Sequence, residues 1–277
     1  MTVELGRYGI WRHMSGLSPD LAAQMERHGF GAVWIGGSPP GDLKLAESLI
    51  AATDRITVAT GIVNMWSTPA EEVAASYHRI EERYPNRFLL GVGIGHPEAT
   101  RQYRKPYDTM VEYLDRLDQG GVPVDRRVLA ALGPRALRLA AERTAGAHPY
   151  LTTPQHTREA REQMGDGPLL APEQKVVLDT DPERAHFVAR PAVKPYLSLS
   201  NYRSNLLRLG FTEQDLAGEG SDRLIDALVA HGDAAAVGAR LTEHLDAGAD
   251  HVCAQLLPAA NDPVPALHDL AQALQLG

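Results

Sequence analysis

Three glycines, Gly91, Gly93 and Gly95, alternate with Leu90, Val92 and Ile94 in the run RFLLGVGIG (87–95). Side chains alternate across a strand, so all three share one face of an extended segment. A strand face stripped of side chains marks a place where another group approaches the backbone closely. A tightly packed neighbouring strand and a flat ring lying across the strand both satisfy that condition. The spacing is not the dinucleotide-binding fingerprint, because the third glycine comes one residue too early. His96 follows directly. A histidine where a strand ends either exchanges protons with a ligand or holds a loop by hydrogen bonds.

Other residues invite the same double reading. Asn64, at the end of ITVATGIVN (56–64), offers a donor and an acceptor to a ring with amide-like edges. Gly133 before Pro134, and Thr152-Thr153 before Pro154, place small or hydroxylated residues at two helix starts. They serve as a phosphate cradle or as ordinary caps. His251, Cys253 and Gln255 share one strand face, with Cys253 read as packing. His13, His96 and His251 are the histidines that could meet in space. The eleven histidines show no ligand spacing, and no metal site is expected.

These residues must be positioned by a repeating unit. Short apolar runs at 8–11, 32–37, 56–64, 87–95, 126–133, 147–152, 174–179 and 251–257 alternate with amphipathic segments. Eight strand–helix units predict a (β/α)8 TIM barrel, with an open doubly wound sheet as the competitor. Ser18-Pro19, Thr68-Pro69, Thr153-Pro154 and Asp181-Pro182 read as N-caps followed by proline, and Thr68 with Glu71 has capping-box spacing. About 70 residues separate the seventh and eighth strands, far more than one crossover helix needs. That stretch reads as helices over 181–192, 197–208, 221–230 and 233–247, a helical insertion (180–250) expected to wall the upper end. A helix over 262–275 closes the ring, and residues 1–277 read as one domain.

Composition narrows the function. A net charge of −8 argues against a nucleic-acid partner, which requires a basic face. A single cysteine excludes an internal disulfide, and no run is long and apolar enough for a signal peptide or a membrane span. A cytoplasmic protein is expected.

The block ITVATGIVNMWSTPAEEVAASYHRIEERYPNRFLLGVGIGHPE (56–98), followed by ALGPRALRLAAERTAGAHPYLTTP (131–154), resembles the luciferase-like monooxygenase superfamily, and most closely its branch that uses coenzyme F420. The resemblance implies a cofactor ring across the strand ends, behind it a non-prolyl cis peptide that would fall at Gly61-Ile62. It implies ring contacts at Gly61, Ile62, Asn64, Gly93, Ile94 and Gly95, and phosphate contacts at Gly133, Thr152 and Thr153. It also implies a homodimer. Some F420 dehydrogenases carry an acidic residue where His96 stands and a polar pair where this chain has Gly36-Gly37. The expected activity is hydride transfer between F420 and a small organic substrate, with His96 as first candidate proton donor and His13 or His251 as second. An FMN-dependent monooxygenase and a non-catalytic ligand-binding barrel are the alternatives.

Overall fold

The computed structural model describes residues 3–95 and 105–277; His96 lies outside them. The chain alternates strand and helix from the start. β1 (Tyr8–His13) leads through α1 (Pro19–Arg27) to β2 (Ala32–Gly36), and α2 (Lys44–Ala51) leads to β3 (Thr57–Thr60) and β4 (Val63–Asn64). α3 (Ala70–Arg83) precedes β5 (Phe88–Gly93), α4 (Pro106–Gln119) precedes β6 (Arg127–Leu129), and α5 (Pro134–Arg143) precedes β7 (Gly146–Ala147). After α6 (Pro154–Met164) come β8 (Leu169–Leu170) and β9 (Glu173–Val177). Then follow α7 (Pro182–Val193), α8 (Ser200–Arg208), α9 (Asp222–Leu228), β10 (Val229–His231), α10 (Ala234–Asp246), β11 (Val252–Leu256) and α11 (Val264–Ala273).

All pairings among the described strands are parallel, as strand–helix–strand connections require. The ring closes through residues 169–177. β8 pairs with β7, and β9 pairs with β11, in one stretch interrupted only around Pro172. Backbone bonds from Glu173 to Pro149 and from Cys253 to Pro172 stitch both sides of that stretch. The result is a (β/α)8 barrel. Each of the eight expected runs contributes a strand to it. β8 and β10 were not expected. β10 pairs with β9 where a helix was predicted to run to residue 230.

The expected caps hold at α1, α6 and α7, where Ser18, Thr153 and Asp181 accept backbone N–H bonds before a proline. The fourth does not. The Thr68 N–H bonds back to the Asn64 carbonyl in a turn after β4, so α3 begins only at Ala70 and the Thr68–Glu71 box does not form.

Apolar residues divide into three clusters. One fills the shell between strands and helices, with Ile35, Val58, Phe88 and Leu90 from the sheet. A second occupies the barrel interior around Trp34, Ala59, Leu89 and Val128. The third belongs to α7, α8 and α9, which bury Ala189, Val193, Leu206 and Ile225 among themselves and against Val177. Packing of this kind holds the inserted helices at the C-terminal ends of the strands.

Candidate active site

Alternation decides what points inward. Trp11 and His13 on β1 pair with Trp34 and Gly36 on β2, Trp34 pairs with Ala59 on β3, and alternation carries the inward face on to Gly61. In the upper layer the second to fifth staves contribute small residues: Gly36, Gly61, Gly93 and Ala130. The first and the sixth to eighth contribute large or polar ones, among them Trp11, His13, His148, Tyr150 and Lys175. A barrel interior is ordinarily filled by side chains. Here the small-residue side leaves a cavity of about 460 Å³ at the strand ends.

Trp11, Gly61, Ile62 and His148 line its floor, and Asn201, Ser204, Asn205 and Arg208 line it from α8. Those four α8 residues are spaced i, i+3, i+4 and i+7, so one helix face is turned to the cavity. The expectation that the insertion walls the upper end is thereby met.

The glycine pair on the second stave has a geometric reason. A side-chain carbon at Gly36 would overlap the Trp11 indole, and one at Gly37 would overlap the His13 imidazole. Two side chains of the first stave therefore lean into space that the second stave vacates. His13 lines the cavity, and its Nδ1 accepts the Ser15 N–H at 3.2 Å and contacts Ser15 Oγ at 2.8 Å. An Nδ1 that accepts leaves the proton of a neutral ring on Nε2, over Gly37.

The floor holds two polar atoms without partners among the described residues. Trp11 Nε1 and His148 Nε2 are both buried and unbonded. A Cβ built on Gly61 would stand 2.8 Å from the first and 2.9 Å from the second, so the pair flanks Gly61. The Gly61–Ile62 peptide is cis, at the position the family resemblance implied. His148 donates from Nδ1 to the Ala171 carbonyl (2.7 Å), so its free Nε2 is an acceptor, and burial pushes its pKa down to about 4. A neutral acceptor and an indole donor thus stand side by side. Buried polar atoms of this sort are ordinarily satisfied.

Of the residues anticipated from the sequence, His13, Gly61, Ile62, Ile94, Gly95 and Gly133 line the cavity. Asn64, Gly93, Thr152 and Thr153 do not. The Asn64 side chain accepts the Trp66 N–H and packs beneath Gly95; Thr153 is occupied in capping α6; Thr152 is buried with an unpartnered hydroxyl. The glycine row turns out to serve its neighbouring staves, since Gly91 and Gly95 face Thr60 and Asn64, and Gly93 lies between Ala130 and Ile62. His251 does not reach the cavity and does not meet His13: it is buried, with Nε2 accepting from Trp34 Nε1 (3.0 Å) and Nδ1 donating to the Gly6 carbonyl (2.8 Å). Both nitrogens are occupied, which removes it as a proton donor. Trp11, His148 and Tyr150 were not anticipated, although each occupies an inward position of a recognisable strand run.

Beside the cavity lies a dense polar layer. Tyr196 donates to Tyr150 (3.2 Å), Tyr150 donates to Gln255 Oε1 (2.9 Å), and Lys175 Nζ reaches the same oxygen (3.1 Å) and Glu173 (3.2 Å). Lys175 and Glu173 are fully buried, and burial pushes the lysine down and the glutamate up against their mutual attraction. A buried pair survives only when its remaining hydrogen bonds are met, as Leu151 N–H and Gln255 meet them here.

Residues 18–120 match the family model described as luciferase-like monooxygenase. The match covers the N-terminal part of the barrel, well under half of the chain. Solved structures are similar in fold along nearly the whole chain. The coenzyme F420-dependent tetrahydromethanopterin reductase from Methanopyrus kandleri is similar at TM-score 0.76 and 17% identity, covering 98% of each chain. An F420-dependent secondary alcohol dehydrogenase in complex with an F420-acetone adduct is similar at 0.75 and 15%, again with 98% of each chain. A type II Baeyer-Villiger monooxygenase from Pseudomonas putida in complex with FMN is similar at 0.68 and 14%, covering 98% of this chain and 97% of that one. No curated protein matches. No helix among the described residues is long and apolar enough to cross a membrane.

Proposed function

We propose that this barrel is an oxidoreductase that uses coenzyme F420 to exchange hydride with a small organic substrate under α8. The observation that carries the reading is the donor–acceptor pair at Gly61. The deazaflavin ring has an amide-like edge on which N–H and C=O alternate, and Trp11 Nε1 and His148 Nε2 offer the complementary donor and acceptor. Gly61 and Ile62 form the surface beneath the ring, with Gly95 at its margin. Gly133 opens α5 with no neighbour within 4 Å of its side-chain position, which leaves room for a phosphate at that helix start. When bound, F420 supplies a hydride acceptor or donor at C5 of its ring.

The chain supplies position and a proton. His13 presents an Nε2 N–H to the cavity, where it hydrogen-bonds to a substrate oxygen whose negative charge grows as hydride joins the adjacent carbon. Ser15 fixes that tautomer from the far side of the ring. The α8 face, ending in Arg208, orients the substrate and excludes water. The likeness to two F420 enzymes supports the deazaflavin over FMN, which remains the alternative for the same pocket.

Titration of the purified protein with F420 and with FMN, followed by tryptophan fluorescence, tests the reading. Trp11 lies on the cavity floor, so F420 is expected to quench at micromolar concentration, with FMN at least about tenfold weaker (about 1.4 kcal/mol). Tight FMN binding with oxygen consumption, and none of F420, would overturn it. His13→Ala should then lower turnover by about 100-fold or more with F420 affinity kept.

A further inference from the structure

The insertion carries a second group of titratable side chains that the cavity does not use. His186 on α7, Asp226 on α9 and His231 at the end of β10 converge on one point. His186 Nε2 lies 2.6 Å and His231 Nε2 lies 3.0 Å from the same Asp226 Oδ1. The two imidazoles meet edge-on with centroids 5.5 Å apart. One donor atom from each residue lies within 4.8 Å of the other two. Behind His186, its Nδ1 stands 3.3 Å from Asp222 Oδ1, and Asp222 is itself paired with Arg190. None of these residues lines the cavity.

Counting protons sharpens the observation. A neutral imidazole has one N–H, yet His186 faces a carboxylate at each nitrogen. The ring either donates that proton from Nε2 to Asp226, or carries it on Nδ1 toward Asp222, which stands 3.3 Å away, and leaves Nε2 to a cation. We propose the second: the cluster is a divalent-cation site, suited above all to Zn²⁺, with His186 Nε2, His231 Nε2 and the Asp226 carboxylate as protein ligands. Two imidazoles and one carboxylate form a donor set that zinc accepts, with a fourth position left for water. Asp222 then fixes the ligating tautomer from outside, the usual duty of a carboxylate behind a metal-bound histidine.

The separations are close to what the ion needs. Metal–ligand distances of about 2.0–2.2 Å in a tetrahedron place neighbouring ligand atoms about 3.3 Å apart. The present contacts must open by under about 1 Å, which rotation of the half-exposed Asp226 side chain supplies. The ligands come from three elements, α7, α9 and β10, and β10 pairs with β9 of the barrel. A bound ion would tie the inserted helices to the sheet that carries Lys175. It is a brace, independent of the cofactor.

The full chain, tag-free and stripped with a chelator, should be titrated with Co²⁺ and then Zn²⁺. One equivalent of Co²⁺ is expected to bind with the intense visible bands of a low-coordinate site, and Zn²⁺ to displace it and raise the melting temperature. His231→Ala and the near-isosteric Asp226→Asn should each abolish the bands, with far-UV circular dichroism and F420 affinity unchanged. Asp222→Asn should weaken binding by about 10–100-fold while keeping one equivalent. Bands that persist in both His231→Ala and Asp226→Asn, or an absence of binding in the unaltered chain, would overturn the site. The cluster would then be two imidazoles hydrogen-bonded to the one Asp226 carboxylate.

Discussion

His148 and His251 flank one indole and differ in one respect. Both are buried, both have pKa values pushed to about 4 by loss of solvent, and both pack on Trp34, His148 stacked at 4.1 Å and His251 tilted at 5.9 Å. His251 has a partner at each nitrogen, whereas His148 has one at Nδ1 and none among the described residues at Nε2. Burial, ring contacts and electrostatics do not separate them. Completing the hydrogen-bond count does: the satisfied ring belongs to the core, and the unsatisfied one faces the cavity. A buried polar atom left bare costs about 1–3 kcal/mol, so it marks where a ligand has something to repay.

The largest expected effect treats the two rings alike. His148, His251 and His244 have folded pKa values lowered to about 4, 4 and 3 by burial. A histidine with a lowered folded pKa binds more protons when unfolded, so stability rises with pH; it is fully present above the unfolded value near 6.5 and is lost as pH falls toward 4. Each group contributes roughly 3 kcal/mol of that loss, enough together to exhaust an ordinary domain. Circular dichroism during acid titration should show unfolding within this window; an intact fold at pH 4 would show that the rings are less buried than described.

His251→Ala should separate the pair. It strands Trp34 Nε1 and the Gly6 carbonyl and opens a void in the barrel interior, at a cost of about 3–5 kcal/mol. A urea midpoint shift measures it, and F420 affinity of the folded protein should stay within about twofold. His148→Phe should do the converse. It retains the stack on Trp34 and removes the acceptor, so F420 affinity should fall by about tenfold or more, corresponding to about 1.4 kcal/mol, with only a modest change in urea midpoint. If both variants lose stability and affinity in the same proportion, the distinction between core and site fails.

The fold was largely legible in the sequence because period-2 apolar runs, proline-marked helix starts and one long gap between strands all pointed to one architecture. The site was less so. Which glycines border a ligand depends on what leans toward them, and no local pattern shows that Gly36 and Gly37 make room for Trp11 and His13. The row at Gly91, Gly93 and Gly95 read equally well as a slot or as packing, and mostly receives the bulged third stave. His251 looked like a candidate because it begins the eighth strand run; only the distances to Trp34 and Gly6 show both nitrogens occupied. β8 and β10, at two and three residues, are too short to impose a periodicity.

The smallest expected effect tests whether His13 is tuned from behind by a side chain, where the two buried rings are held at Nδ1 by backbone carbonyls. Ser15 approaches Nδ1 twice, through its backbone N–H at 3.2 Å and its hydroxyl at 2.8 Å. Ser15→Ala removes only the second contact; the backbone donor stays and still favours the proton on Nε2. The tautomer is therefore kept, but the ring is less firmly aimed and one polar contact is lost, worth about 0.5–1.5 kcal/mol. Turnover should fall by about two- to tenfold, with KM and melting temperature nearly unchanged. A drop as large as that of His13→Ala would mean that Ser15 itself supplies the proton, and His13 would then be the positioning residue.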